Sequence, residues 1–366
     1  MPTIVNLTNI PAPYREGVHE LVSDSLDSDY VVIYCAKLEP NRQWEFQYGH
    51  YKKIFLSDKS KGYIHNNFSI WPVLNKLKPG IIIATGFNPT MLYSFIWAVL
   101  HGAKFIPFTD GTLQSEKGLS FVHRLVRKIV FSYSKAFIGA SNGSAQMYEQ
   151  YKIPKNKIFK SCLAVNNSFF GNDKLIKKEY TLMFSGRLSD VKMPLFFVEI
   201  AKKVKEITGN CKVLVLGSGE MGGEMETTLN LYGIPYEMPG FIDQKQLPWF
   251  YSKSKLFLFP TRTDAWGIVA NEAMAAGVPV ITCKNAGVEK DLVIDGVNGY
   301  VLPLDVDIWT DKVIKLLNDK DLYAEFSQNS YTHVQNYNFE SGAAGIVGAI
   351  NFVLHKGYKT IPEIHS

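Results

Sequence analysis

The sequence predicts an α/β protein built from two doubly wound domains. Short apolar runs rich in β-branched residues alternate with amphipathic segments along most of the chain, the rhythm of parallel sheets covered on both faces. The rhythm restarts near Tyr180, after FFGNDKLIKKEY, whose polar, lysine-rich composition is that of a linker near 170–179. A length of 366 residues allows about two domains at roughly 150 residues each. The first domain is expected over 1–172 and the second over 173–340, with a C-terminal helix at about 340–366 packing back on the first. A ligand is expected in the cleft between them, outside the carboxyl ends of the strands.

The elements follow in order. Strand-like runs lie at 3–7, 30–35, 81–85, 104–108 and 135–139, with helical stretches such as 15–26, 90–101 and 115–131 between them. The second half places strands at 180–185, 211–217, 256–260, 279–283 and 299–302. Helices at about 193–207, 243–253, 267–276 and 306–318 alternate with these. Residues 81–100 carry no charge over a length that would cross a bilayer. Gly86, Asn88 and Pro89 interrupt them, so a buried strand, a loop and a helix opened by Asn88 and Pro89 are expected instead.

Composition excludes several classes. At 46% hydrophobic residues the chain has ample core material, which rules out disorder and collagen-like repeats. A net charge of +5 suits an anionic ligand or a membrane surface and is too sparse for a nucleic-acid binder. Cys35, Cys162, Cys211 and Cys283 form no C-x-x-C pair, so neither a zinc site nor a disulfide framework is expected. The start, MPTIVNLTNIPAPYR, lacks the basic and apolar regions of a secretory signal. Asp27-Ser28-Asp29 has the form of a metal-binding D-x-D but reads as a solvated loop, and no metal is expected. His101 and His123 read as ordinary surface histidines.

Three motifs carry chemistry. In FSGRLSDVK, Arg187 and Lys192 follow a strand end, where two cations could clamp a diphosphate; a solvated surface pair is the alternative. In VLVLGSGE, a strand ends in Gly217-Ser218-Gly219, a tight turn suited to a nearby phosphate, although GSGEMGG is not G-x-G-x-x-G. In FPTRTDAWGIVANEAMAAGVPV, a helix starts near Gly267 and offers an N-terminal anion site. Gly267 would let a phosphate approach the backbone closely. Glu272 could accept hydrogen bonds from ribose hydroxyls; a surface helix acid is the alternative.

Taken in order, GRLxxxK, GSGE, D-x7-EAMAAGVPVI, Gly287 and DGVNGYV resemble the nucleotide half of a retaining GT-B glycosyltransferase of family four, over about 180–320. The opening IPAPYREGVHELVSDSL is similar to the starts of bacterial polysaccharide-assembly members. The resemblance implies two Rossmann-like domains facing a central cleft. It implies that Gly186, Arg187, Lys192 and Gly217 hold the diphosphate of a nucleotide sugar. Gly267, Ile268 and Val269 would bring backbone groups to sugar and phosphate, Glu272 would bind the ribose, and Gly240, Phe241 and Ile242 would line the base. The family's first acid of E-x7-E, which contacts the sugar, is here Asp264, one methylene shorter. Many members carry a histidine after the strand ending near 108. Here Asp110 is the polar candidate, open to two readings: orienting acceptor or sugar, or capping the following helix.

The implied activity is retaining, metal-independent hexosyl transfer from a nucleotide sugar, expected to be a UDP-sugar, in surface polysaccharide or O-antigen synthesis. Asp110, Arg187, Lys192 and Asp264 are its candidate catalytic residues, and no bound cofactor is expected beyond the co-substrate. The expected acceptor is a glycan linked to polyprenyl diphosphate. A nucleotide-sugar epimerase and a non-catalytic binding partner are the rivals. The segment 120–133, SFVHRLVRKIVFSY, is amphipathic. Phe121, Val122, Leu125, Val126, Ile129 and Val130 are expected to cover the sheet. His123, Arg124, Arg127 and Lys128 would face an anionic leaflet. The expected location is therefore cytoplasmic, peripheral on the inner face of the plasma membrane.

Overall fold

A computed structural model describes residues 2–40, 49–60, 62–171 and 177–355. The expected linker at 170–179 and the expected C-terminal helix at 340–366 therefore lie partly outside the described residues. The chain forms two compact units: Met1–Ala164 with Phe339–Ser366, and Val165–Asn338.

The first unit runs β1 (Ile4–Thr8), α1 (Pro13–Ser25), β2 (Tyr30–Tyr34), β3 (Lys52–Phe55), α2 (Ile70–Leu77), β4 (Ile81–Thr85) and α3 (Pro89–His101). It continues through β5 (Lys104–Thr109), α4 (Leu113–Lys117), α5 (Phe121–Tyr133), β6 (Phe137–Gly139), α6 (Asn142–Gln150) and β7 (Ile158–Lys160). Its strands form one seven-stranded sheet in the order β3-β2-β1-β4-β5-β6-β7. Adjacent strands are parallel, with Ile4 opposite both Tyr30 and Ile81. Alternate residues feed opposite faces, as the strand period of two requires. Ile4, Val32, Ile83 and Ile106 join one core, while Val5, Val31, Ile82 and Phe105 join the other.

The second unit runs α7 (Asn167–Phe170), β8 (Tyr180–Ser185), α8 (Pro194–Thr208), β9 (Val213–Leu216), α9 (Gly222–Leu231), β10 (Tyr236–Gly240) and α10 (Leu247–Ser252). Then come β11 (Ser254–Phe259), α11 (Ile268–Ala275), β12 (Val280–Cys283), β13 (Gly299–Leu302), α12 (Val306–Asn318) and α13 (Lys320–Val334). Its six-stranded sheet has the order β10-β9-β8-β11-β12-β13, also parallel. The last helix, α14 (Phe339–Val353), returns to the first unit and packs on α1 and β7.

The structure corrects two expectations in the first unit. The helix expected over 115–131 is two helices, because the chain breaks at Gly118-Leu119-Ser120 and Ser120 caps α5 by accepting from the His123 N–H. The break also resets the phase of α5. Val130 and Phe131 are its buried residues, while Phe121, Val122, Leu125 and Ile129 are exposed instead of covering the sheet. The reason is electrostatic. Arg127 turns inward, over the Phe87 ring at 4.4 Å and 3.1 Å from the buried Glu116 carboxylate. Arg124 donates to the Glu116 and Lys117 carbonyls. Two of the cations expected to face solvent, Arg124 and Arg127, are thus engaged within the unit, and the apolar stripe is left outside.

Candidate active site

The second sheet contains a topological switch. From β8 the chain moves outward through β9 to β10, then returns to the other side of β8 as β11. The carboxyl ends of β8 and β11 therefore open side by side, the geometry that leaves a crevice for a ligand in open α/β sheets. Both cation-bearing and acid-bearing motifs emerge there. The loop after β8 carries Arg187 and Lys192, and the loop after β11 carries Asp264 and Gly267.

The two loops are tied together. Val191 O accepts from the Arg262 N–H at 2.8 Å and from Thr261 Oγ1 at 3.0 Å. Arg262 grips Asp190 through two N–H groups, at 2.9 and 3.1 Å. Lys192 Nζ donates to Asp264 Oδ2 and lies 5.5 Å from the Phe259 ring centroid. Asp264 Oδ1 accepts from the Trp266 N–H at 3.1 Å. The Asp264 backbone is held in turn by Asn285 O and the Gly287 N–H. Asp264 thus spends both oxygens on local partners and fixes the ammonium of Lys192, which keeps further donors for a ligand. Arg187 is exposed at the same loop.

The glycines have a more specific role than the sequence assigns. Gly267 sits at φ +102°, and a Cβ there would lie 2.3 Å from the Phe259 ring, so only glycine lets the chain turn into α11. Gly217, at φ +115°, would carry its Cβ 2.0 Å from Gly186 O. The turn after β9 is thus pressed against the turn after β8, and Gly186 N donates to Leu216 O at 2.9 Å. On the far side, Gly217 N donates to Gly240 O at 2.8 Å, which brings the half-exposed Phe241 and the partly buried Ile242 into the same row of loops.

Helix α11 is buried on all sides, with every residue from Ala270 to Ala275 out of solvent. Its small side chains permit that approach. Its first turn, Ile268 and Val269, points N–H groups without intrahelical acceptors toward the crevice end of the unit. Glu272 is 8% exposed, which overturns the alternative of a surface helix acid. It accepts from the Tyr251 hydroxyl through Oε2 at 2.7 Å. Burial pushes the Glu272 carboxyl up to about 7, and the Tyr251 bond opposes that rise. Tyr251 also hydrogen-bonds Ser185, the last residue of β8. One phenol therefore links the strand that presents Gly186 and Arg187 to the helix that presents Glu272. No motif marks Tyr251; the available signal is a hydroxyl inside the apolar run WFY, which a buried tyrosine must satisfy.

Asp110 stands apart, in the first unit. It follows β5 and is exposed. Thr112, not Asp110, is the N-cap of α4, with its N–H donating to Ser115 Oγ at 2.9 Å, so the capping reading is overturned. Beneath this strand end Arg15 is partly buried over the Phe108 ring at 4.6 Å and donates to Ser161 Oγ at 3.1 Å. Burial lowers the Arg15 pKa, and the Asp110 charge is among those that oppose it. Sequence reasoning passed over Arg15.

Other candidates resolve into structure. Asp29 of the D-x-D pairs with Lys52 at 2.6 Å. His101 stacks on Trp97 at 4.1 Å, and His123 bonds Ser120 Oγ. The four cysteines are buried free thiols. Among the described residues no group of three or more His, Cys, Asp or Glu side chains could hold a metal, and no helix is long and apolar enough to cross a membrane.

Comparison with known proteins agrees with this fold. Residues 167–333 match the family model of glycosyl transferases group 1. The chain is 26% identical over 222 residues to the capsular polysaccharide biosynthesis glycosyltransferase CapM of Staphylococcus aureus, covering 59% of this chain and 55% of CapM. It is 23% identical over 218 residues to a Campylobacter jejuni protein named GalNAc-alpha-(1->4)-GalNAc-alpha-(1->3)-diNAcBac-PP-undecaprenol alpha-1,4-N-acetyl-D-galactosaminyltransferase, covering 59% and 60% of the two chains. The matches thus span little more than half the length of either relative. Among solved structures, Anabaena HepE in complex with UDP and glucose superimposes with a TM-score of 0.71 at 14% identity, covering 96% of this chain and all of that one. Residues 167–333, nearly the whole second unit, thus resemble the glycosyl transferases group 1 family, in a chain whose two parallel-sheet α/β domains have the GT-B fold.

Proposed function

We propose that the protein transfers a sugar from a nucleotide sugar to a glycan acceptor, with retention at the anomeric carbon, during assembly of a bacterial surface polysaccharide. The observation that carries this reading is the constellation at the switch point. Arg187, Lys192 tethered by Asp264, and the first turn of α11 converge where β8 and β11 end. A nucleoside diphosphate has the charge and shape for such a place, with its base toward Phe241 and Ile242 and its ribose toward Glu272. UDP is the proposed nucleotide, in line with the UDP held by HepE. A polyprenyl-linked acceptor is the proposed partner, in line with the undecaprenol in the name of the Campylobacter relative. Its use places the enzyme at the cytoplasmic face of the plasma membrane.

In the proposed reaction the bond between the anomeric carbon and the diphosphate oxygen breaks, and the electron pair leaves with the nucleoside diphosphate. The acceptor hydroxyl attacks the same face and gives its proton to a phosphate oxygen. Charge builds on the departing phosphate, so fixed cations and helix-end N–H groups do the catalytic work. Asp264 then serves the transition state indirectly, by holding Lys192 in place before the charge develops. Asp110 is proposed to orient the acceptor or sugar.

The test is calorimetric titration of the protein with UDP, GDP, ADP and CDP, followed by transfer assays with the matched donor. Lys192→Ala should lower kcat by about 10²–10³ and weaken diphosphate binding, because a preorganised electrostatic partner is removed. Binding of no diphosphate, or full activity in Lys192→Ala, would sink the reading.

A further inference from the structure

Between β3 and α2 a short strap of chain is tied to the carboxyl edge of the first sheet. Its residues alternate. His65 is buried and Asn67 half-buried, whereas Ile64, Asn66 and Phe68 are exposed. The inward residues are anchored. His65 Nε2 meets the buried Glu39 carboxylate at 3.0 Å, and His65 O accepts from the Thr90 N–H at 3.2 Å. The Asn67 amide donates to Cys35 O, just after β2, at 3.2 Å. The Asn67 backbone N–H donates to Thr90 Oγ1, at the start of α3, at 2.8 Å. Phe68 is thus held at a fixed place while 65% exposed to water.

The exposed ring belongs to an ordered aromatic face. Phe68 lies nearly parallel to Trp71 of α2, with centroids 6.0 Å apart at 17°, and stands at 80° to Tyr93 of α3, 5.5 Å away. The Tyr93 hydroxyl donates to Asn66 Oδ1 at 2.7 Å. That bond orients the Asn66 amide and leaves its two Nδ2 donors free among the described residues. The stretches 62–75 and 86–103 contain no Asp, Glu, Lys or Arg. A phosphate-bearing partner, whether nucleic acid or anionic lipid, would meet no cation on them. A purely apolar partner would strip the Asn66 amide of water and return no acceptor. A sugar ring meets both demands. The C–H bonds of one face suit the partial negative charge over an aromatic ring, and hydroxyls at the rim accept from an amide.

We propose that Asn66, Phe68, Trp71 and Tyr93 form a binding site for an uncharged sugar ring, stacked on Phe68 and hydrogen-bonded by Asn66. The proposal rests on the reading of a glycan acceptor and deepens it, since the site would hold one neutral sugar unit of that glycan. Ligands of open α/β sheets gather at the carboxyl edge, where the strap is tied. Aromatic anchors fixed in advance lose little side-chain entropy on binding.

The test is saturation-transfer NMR on the full chain with the methyl glycosides of glucose, galactose, N-acetylglucosamine and N-acetylgalactosamine, and with that of glucuronic acid as a charged control. A neutral glycoside should bind, with transfer strongest on one face of its ring, and the glucuronide should bind no better. Phe68→Ala should weaken binding about tenfold. Phe68→Tyr should keep it, whereas Phe68→Leu, apolar but without an aromatic face, should not. Asn66→Ala should weaken it several-fold. Phe68 and Asn66 are exposed, so thermal midpoints and affinity for a nucleoside diphosphate should stay unchanged. The proposal is overturned if no neutral glycoside binds, or if Phe68→Ala or Phe68→Leu binds as well as the unaltered protein. It is also overturned if the chain floats with phosphatidylcholine vesicles and Phe68→Ala abolishes that, which would make the face a lipid contact. Glycoside binding that depends on Phe68, in a chain that takes up no nucleoside diphosphate, would leave this site standing and count against the enzymatic reading.

Discussion

Glu272 and Tyr251 make a coupled pair whose behaviour can be worked out with sign. Burial holds the Glu272 proton up to about pH 7 in the folded protein, whereas an unfolded chain releases it near 4.5. A raised acid stabilises the fold fully below the lower value, and that contribution is lost as pH rises through the upper one. Glu272→Gln should therefore flatten the fall in apo-protein thermal midpoint between about pH 4.5 and 7, read by calorimetry. Ribose hydroxyls need the carboxylate, so nucleotide affinity should rise through about pH 7 and lose that step in Glu272→Gln. Tyr251→Phe removes the bond that favours the charged form, so the midpoint of the binding profile should move up. An unmoved midpoint in Tyr251→Phe would mean that the phenol does not govern the acid. The type and spacing of Glu272 were legible as D-x7-E, but its burial was not. Helix α11 has no polar face to betray which side is covered, because its neighbours are alanines, Asn271 and Met274.

Elements succeed or fail in the sequence according to how much apolar pattern they own. The expected strands that became β1, β2, β4, β5, β8, β11 and β12 are apolar runs flanked by a neighbour on both sides. The strands that no expectation marked, β3, β7 and β10, are all sheet edges. KKIF and IFK are too short to show alternation, and YEMPG contains a proline and a glycine, tolerated there because an edge leaves one side of the ladder unused. The entry to α11 was legible in type but not in cause, since the contact between Gly267 and Phe259 joins two elements. Gly267→Ala should destabilise the second unit by about 2–4 kcal/mol through positive φ and ring contact, measured by urea unfolding. Phe259→Leu in the same chain should restore the part owed to the ring and leave the part owed to φ.

At the scale of the whole molecule, the chain leaves the first unit at Ala164 and re-enters it at Phe339. Helix α14 fills the core over α1, with Ile346, Val347, Ile350 and Val353 buried. Those four side chains are worth about 6 kcal/mol or more, comparable to the whole stability of a domain. A chain ending at residue 338 should lose the calorimetric transition of the first unit while the second still binds the nucleotide. A single unchanged transition would show that α14 is dispensable. The same return has a consequence for synthesis. Residues 165–338 emerge from the ribosome before α14 exists, an interval on the order of ten seconds or more. During it Val18 and Val22 of α1 lack their cover, so the nascent first unit offers a sticky apolar groove while the second completes itself. Chaperone capture of ribosome-bound chains should therefore peak after the first sheet has been translated and end only when the last helix clears the tunnel.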